Sequence, residues 1–482
     1  MRPRSPQTAL LQPRRSGPVR GRYFNTGRGP TLQPVDIGHR DYIGLVDPDT
    51  AFWALVRKER LGGVLTDGPF LRAYRKKAAA FAAEMDTLRF GLRPSAVYFN
   101  PTDRCNLNCT YCYIPATMRR GGVHMSSDRL IGALAILRDH FAATLPRRAK
   151  PQIIFHGAEP LLNREAIFAG IDRYRKDFRF GIQTNGTLLD DGAIEFLTSR
   201  GVSIGLSLDA EVERAASRTR KTWGGGGVYH KVVRALERLR GYPDYSVICT
   251  VTRENVRRLP RIVDFFHGLE IPTCMLNPLR CTRQGARGIK PGDREMSRYY
   301  RQALDRTEEL YRRTGRKLVV ANFANALIAI LAPQARRLMC DISPCGGGRS
   351  FFAVSARGDM FPCSEFIGLE EFNGGNLFRD GIADVLNGDV FRKVTERDVD
   401  DIDSCSRCAI RHFCGSPCPA EAHEMNGGMR RIGAFCEFYE DQTRYALRLI
   451  ADGREGSFLW NDWDAQTTTS FQWETASLKA GQ

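Results

Sequence analysis

Between residues 96 and 279 the chain alternates short apolar runs with longer amphipathic stretches. The apolar runs are AVYFNPT (96–102), QIIFHG (152–157), FGIQTNG (180–186), VSIGLSLD (202–209), YSVICTVT (245–252) and PTCMLNPL (272–279). They are rich in β-branched and aromatic residues and predict strands. Stretches such as SSDRLIGALAILRDHFAATL and YHKVVRALERLRGY, lying between them, carry apolar residues at helical spacing. Strands alternating with helices of this length predict βα units on a parallel sheet. Six units are too few for a closed eight-stranded barrel. A partial (βα)6 barrel and an open doubly wound sheet both satisfy the pattern, so the expected class is α/β.

The flanks read differently. Residues 45–94 predict a helical N-terminal extension, through AFWALVRKE and then YRKKAAAFAAEM. After residue 290 a helix over REMSRYYRQALDRTEELYRR closes the core, placed at 95–320, and leads into a cysteine-rich segment at 321–445. The segment 446–482 reads as a tail, aromatic and polar without periodicity after residue 455. Residues 1–44 predict a disordered basic arm, since the first 40 hold eight Arg against one acid, Asp36, among many Pro and Gly. Neither aromatic interleaving nor a nucleic-acid module accompanies that charge, so the arm reads as solvated and nucleic acid is not an expected partner.

Composition changes the picture at the cysteines. The chain has 482 residues, 42% of them hydrophobic, a net charge of +17 and 14 cysteines. Its N-terminus has no apolar signal region, and no run of about 18 apolar residues occurs. The expectation is a soluble, cytoplasmic protein with no membrane partner, in a reducing compartment where clustered thiols bind metal rather than pair. Cys105, Cys109 and Cys112 fall within eight residues directly after the first strand, the end at which βα-barrels place their chemistry. Three thiolates on a four-iron cluster leave one iron open, much as a catalytic zinc site keeps an open position. Eight further cysteines, Cys340, Cys345, Cys363, Cys405, Cys408, Cys414, Cys418 and Cys436, suffice for two four-iron clusters or two zinc sites. Cys249 and Cys274 lie in predicted strands and read as small core residues; Cys281 is left over.

The spacing Cys105-x3-Cys109-x2-Cys112, with Tyr111 before the last cysteine, resembles the signature of radical S-adenosylmethionine (radical SAM) enzymes. The second-strand Gly-Gly-Glu motif of that family is similar to Gly157-Ala158-Glu159 here, with Ala in place of the second Gly. The resemblance implies that the loop backbone meets the methionine ammonium of SAM. It implies the same neighbourhood for Tyr111, Asn185, Ser207 and Asp209, and for Arg220 near the SAM carboxylate, with Arg218 as an alternative. Cys345-x12-Gly358-x4-Cys363, then Cys405-x2-Cys408-x5-Cys414-x3-Cys418-x17-Cys436, resembles the SPASM domain of peptide-modifying members. There the ligand sets interleave, which implies Cys340, Cys345, Cys363 and Cys418 for one auxiliary cluster and Cys405, Cys408, Cys414 and Cys436 for the other.

The family's chemistry follows as an expectation. Three 4Fe-4S clusters and SAM are the implied cofactors, and a flavodoxin or ferredoxin the implied electron donor. Reductive cleavage of SAM gives a 5′-deoxyadenosyl radical, which abstracts hydrogen from the substrate. The expected substrate is a small ribosomally made precursor peptide, matured by a crosslink or another oxidation. Two rivals are an anaerobic sulfatase-type formylglycine maturase and, from another class, a non-enzymatic iron–sulfur electron carrier. The carrier needs none of the SAM-side residues. In the sulfatase-type group an Asp follows the cysteine matching Cys363. Here Ser364 and Glu365 follow, and in an extended segment Glu365 points to the opposite face.

Overall fold

The computed structural model describes residues 32–463, apart from 67, 338–339, 341–344, 415–417 and the side chain at 284. The arm before residue 32 and the tail beyond 463 lie outside the described residues.

The chain opens on an antiparallel sheet of β1 (Gln33–Val35), β2 (Tyr42–Val46) and β3 (Trp53–Arg57). This corrects two expectations. The basic arm does not reach residue 44, and the apolar part of AFWALVRKE is a strand, with a single 3₁₀ turn, Lys58–Arg60, after it. Trp53, Ala54, Leu55 and Val56 are all buried, and a short apolar run buried throughout carries no periodicity that separates strand from helix. Trp53 Nε1 donates to the Ile330 carbonyl at 2.9 Å, fastening this sheet to the rest of the molecule. The second half of the extension is a helix as expected, Pro69–Asp86, begun by proline at its first position.

All six predicted strands are present: β4 (Ala96–Phe99), β5 (Gln152–Phe155), β6 (Arg179–Thr184), β7 (Ser203–Ser207), β8 (Tyr245–Val251) and β9 (Thr273–Pro278). They pair in sequence order, all parallel. A short β10 (Val319–Val320) adds parallel to β9. On the other edge β11 (Phe351–Val354) adds parallel to β4, followed antiparallel by β12 (Asp359–Phe361) and β13 (Gly375–Asn376). The strand order ends at β10 and β13.

Side chains two apart on successive strands settle the shape. Ala96 and Tyr98, Gln152 and Ile154, Gly181 and Gln183, Gly205 and Ser207, Ile248 and Thr250, Met275 and Asn277 all line one cavity of about 1300 Å³. A sheet whose alternate residues converge from six strands on one space is wrapped around it, so the partial barrel is chosen over the flat doubly wound sheet. A closed eight-stranded barrel fills its interior with bulky layers; Gly181 and Gly205 leave this one open. The opposite faces, including Val97, Phe155, Leu206, Cys249 and Cys274, are fully buried, and the two cysteines are core residues as expected.

The cysteine-rich segment is not a separate sheet, because β11 joins it directly to β4. Its expected start at residue 321 also moves. Helix Ala321–Leu331 packs on β9 and belongs to the barrel wall. The boundary at 446 falls inside helix Cys436–Ala451, which lies against helices Asp293–Thr314 and Ala321–Leu331. Phe458 and Leu459 are buried beyond it, so the chain stays packed past the point where a tail was expected. Among the described residues no helix is long and apolar enough to cross a membrane.

Candidate active site and cysteine clusters

Cys105, Cys109 and Cys112 sit on the loop after β4, at one wall of the cavity. Backbone amides of Asn108 and Thr110 donate to the carbonyls of Lys221 and Thr219, at 2.7 and 3.0 Å. Trp223 Nε1 donates to the Cys105 carbonyl at 2.9 Å. Arg119, itself buried, donates to the carbonyls of Ile114 and Leu107 at 3.0 Å each, closing the loop from beneath. Burial pushes the Cys105 thiol up to about 12 and the Cys109 thiol to about 11, and raises Cys112 too.

The later strand ends supply the polar surroundings. Gly157 has φ +104°, and a Cβ there would run into the Asn100 side chain, so this turn requires glycine. Gly157 and Ala158 line the cavity. Glu159 does not. Its carboxylate accepts from Thr184 Oγ1 and the Asn185 amide, both at 2.7 Å, and from the Leu161 amide at 3.1 Å, locking the loop after β5 to the end of β6. Asn185 faces the cavity and donates to Asn106 Oδ1 at 2.8 Å. Ser207 faces it from the end of β7.

Asp209, like Glu159, braces rather than lines. It accepts from the Tyr111 hydroxyl at 2.7 Å, from Thr219 Oγ1 at 3.2 Å and from the Thr250 amide at 3.0 Å. Arg220 Nη1 donates to the Tyr111 oxygen at 2.6 Å, while its buried Nε has no partner. Tyr111 and Arg220 are both on the cavity wall. Arg218 is on the surface, paired with Glu254 at 2.9 Å.

Cys340, Cys345, Cys363 and Cys418 line the same cavity. The thiols of Cys340, Cys345 and Cys418 all act on Cys363, whose own thiol burial raises well above its ordinary value. Cys405, pushed up to about 11 by burial, has Cys436 and Cys408 as its thiol neighbours. Cys414 is on the cavity wall, its Sγ–H donating to the Arg411 carbonyl at 3.9 Å. The glycine of the spacing, Gly358, has φ +91° and lies against the Phe378 ring. Cys281 is buried outside the clusters, its amide donating to Glu421 Oε1 at 2.9 Å.

One expectation fails beside Cys363. Ser364–Phe366 is a 3₁₀ turn and not an extended segment, so Ser364 and Glu365 both line the cavity. Glu365 accepts from Thr282 Oγ1 at 3.1 Å. Burial raises its carboxyl, and Arg280 opposes the shift. Ser364 Oγ is buried with no partner. Tyr113 and His156 complete this wall. Their rings stack at 6.4 Å, with Tyr113 Oη 3.4 Å from His156 Nδ1. Burial pushes His156 down to about 4, keeping it neutral. His156 precedes the Gly157 turn but was given no role by the motif; its place directly after β5, two residues on from the cavity-lining Ile154, was the signal.

Residues 99–266 match the radical SAM superfamily, and residues 345–409 the SPASM iron-sulfur cluster-binding domain. An uncharacterized protein of Archaeoglobus fulgidus is 39% identical over 406 residues, 84% of this chain and 92% of its own length. A cysteine-type anaerobic sulfatase-maturating enzyme of Clostridium perfringens is 23% identical over 369 residues, 72% of this chain and 94% of the enzyme. Among solved structures, native anSMEcpe with bound AdoMet and Cp18Cys peptide superposes with a TM-score of 0.65 at 19% identity, over 76% of this chain and 99% of that one. Streptococcus suis SuiB bound to precursor peptide SuiA gives 0.55 at 12%, over 83% and 99%. At these identities the two structures speak to the fold.

Proposed function

We propose, from the premise that this chain belongs to the radical SAM enzymes that carry a SPASM domain, that it oxidises a side chain of a small ribosomally made peptide. The observation that carries this reading is the shared cavity. Cys105, Cys109 and Cys112 stand on one wall, while Cys363, its neighbouring cysteines and Glu365 stand on another. A side chain held between them meets a site of hydrogen abstraction and a site that takes up an electron and a proton.

The residues present fit the cofactors. Three half-buried thiols on one loop, all lining the cavity, suit a cluster with an open iron. The unpartnered Nε of Arg220 and the glycine-only turn at Gly157 suit the carboxylate and ammonium of a bound amino acid. In this reading Cys105, Cys109 and Cys112 hold the SAM cluster. Cys340, Cys345, Cys363 and Cys418 hold one auxiliary cluster, and Cys405, Cys408, Cys414 and Cys436 the other. Bound there, SAM and its cluster supply one-electron cleavage of a C–S bond and, through it, hydrogen abstraction from carbon. Tyr111 holds the Arg220 guanidinium toward the carboxylate, with Asp209 fixing Tyr111. Glu159 and Asp209 shape the site without entering it. Glu365 takes the proton released as the substrate is oxidised. Ser364 Oγ and the neutral His156 orient the side chain. A flavodoxin or ferredoxin supplies electrons, and a reducing cytoplasm suits thiols gathered to hold iron–sulfur clusters.

The leading product is an internal crosslink, formed with loss of two hydrogens. Formylglycine formation is the second reading, favoured by one observation: the carboxylate expected to face away lines the cavity. The test is mass spectrometry on a candidate precursor peptide co-expressed with the enzyme, beside a sulfatase peptide assayed with purified protein. Loss of two hydrogens from the precursor, with the sulfatase peptide unchanged, is expected. Aldehyde on the sulfatase peptide alone reverses the order.

A further inference from the structure

The indole of Trp223 is half-buried beside the cysteine triplet, bound through Nε1 to the Cys105 carbonyl at 2.9 Å. The backbone before it follows the triplet loop: Thr222 bridges Leu107, and the Asn108 amide donates to the Lys221 carbonyl at 2.7 Å. Two arginines stand over the ring. The exposed Arg120 guanidinium is 4.4 Å from its centroid and the buried Arg119 guanidinium 5.1 Å. Arg104, also exposed, donates from Nε to the carbonyl of Gly122, two residues on from Arg120. Among the described residues neither Arg104 nor Arg120 pairs with a carboxylate. Four glycines follow Trp223, at 224–227. Gly225 has φ +87° and a Cβ on Gly227 would run into Ser217 Oγ, so the fold requires both. Gly224 has neither reason: its φ is outside the left-handed region, and a Cβ there would meet no atom within 4 Å. Its missing side chain leaves exposed backbone low beside Trp223. The acid at the far end of the turn, Glu213, is hydrogen-bonded to His230 at 3.1 Å.

Tryptophan and arginine are the side chains that most often anchor protein interfaces. Cations without acid partners steer an acidic protein toward them. We propose that Arg104, Arg120, Trp223 and the glycine turn form the docking surface for an acidic one-electron carrier protein. Trp223 seats the carrier against the backbone of Cys105, and the bare Gly224 lets its surface come close. The step is the transfer of one electron, which oxidises the carrier by one and reduces the cluster by one, with no bond made or broken. The proposal rests on the reading that Cys105, Cys109 and Cys112 hold the cluster this electron reduces.

The test uses full-length, anaerobically reconstituted protein and two acidic probes, a flavodoxin and a plant-type ferredoxin. Binding of each oxidised carrier is followed by calorimetry. Formation of 5′-deoxyadenosine is driven by the reduced carrier or, bypassing any docking, by dithionite. At least one carrier should bind the parent, and more weakly as salt rises past about 0.15 M, where charges are screened beyond about 8 Å. Arg120→Glu and Gly224→Glu should each weaken that binding by about tenfold or more and slow carrier-driven cleavage, with iron content and the dithionite-driven rate unchanged. Arg313→Glu, an exposed reversal ahead of β10 at the other end of the barrel, should change none of these. Gly224→Glu enters open space, so it decides the matter if Arg120→Glu loses iron. An iron-replete parent that dithionite cannot drive to cleave SAM would contradict the cluster reading, while the binding measurements still judge the surface. Binding of neither carrier to the parent, unmoved affinity in Gly224→Glu, a dithionite-driven rate in Gly224→Glu that falls in step with the carrier-driven one, or an equal loss of binding in Arg313→Glu overturns the proposal.

Discussion

Arg220 brings a buried positive charge to the cavity wall with one nitrogen engaged by Tyr111 and another unengaged. Hydrogen bonds to a charged group contribute about 1.5–3 kcal/mol, or roughly ten- to a hundredfold in affinity. Arg220→Met should weaken SAM binding by that factor, in equilibrium binding under anaerobic conditions, and leave iron content intact. Arg218→Met should change neither, because Arg218 is engaged on the surface by Glu254. Glu365 makes a different prediction. Glu365→Gln preserves shape and the contact with Thr282 but cannot accept a proton. Substrate oxidation should fall by about 10²-fold or more while SAM cleavage continues, so the ratio of 5′-deoxyadenosine to modified peptide rises. An unchanged ratio would remove Glu365 from the reaction. Residue identities alone left this carboxylate on the wrong face. Its direction depends on whether the backbone after Cys363 runs extended or turns, and no side-chain pattern over three residues decides that.

The loops after β5 and β6 act as one element because Glu159 ties them together. Glu159→Ala would leave the Thr184 hydroxyl and the Asn185 amide, both buried, without their acceptor, at about 1–3 kcal/mol. Asn185 reaches toward Cys105 and Asn106, so the loosened loop should weaken SAM binding more than iron loading. Wild-type affinity in that variant would show that the loop does not shape the SAM site. The core strands were legible because their helices and strands differ in period and length, and each observed strand falls within the span predicted except β6, which begins one residue earlier at Arg179. The N-terminal sheet was not, since β3 is apolar at every buried position. The extension of the barrel sheet by β11 was also hidden. Phe351–Val354 pairs with Ala96–Phe99 across some 250 residues of chain, and nothing local in FFAV names its partner.

For the whole molecule, what matters is that the cysteine-rich segment is built onto the barrel. β11 continues its sheet, helix Cys436–Ala451 packs on its outer helices, and Glu421 joins the two by accepting from the amides of Cys281 and Ala434. One cavity therefore reaches both the triplet and the Cys363 group. The cysteine positions could be read ahead of the structure, because ligand spacing is written in the covalent chain. Which of those cysteines become neighbours in space is decided by the fold and not by their spacing. Which side chains line the space between was not legible either, because lining depends on strand curvature and on the open layer at Gly181 and Gly205. The account predicts about 12 irons in three clusters, and its central claim is that the triplet drives SAM cleavage. The most direct measurement is 5′-deoxyadenosine formation by anaerobically reconstituted protein with SAM and a strong reductant, beside the variant with Cys105, Cys109 and Cys112 all replaced by Ala. The account predicts 5′-deoxyadenosine and methionine from the parent, none from the variant, and a loss of about four irons. An iron-replete parent that binds SAM and, fully reduced, yields no 5′-deoxyadenosine would contradict it.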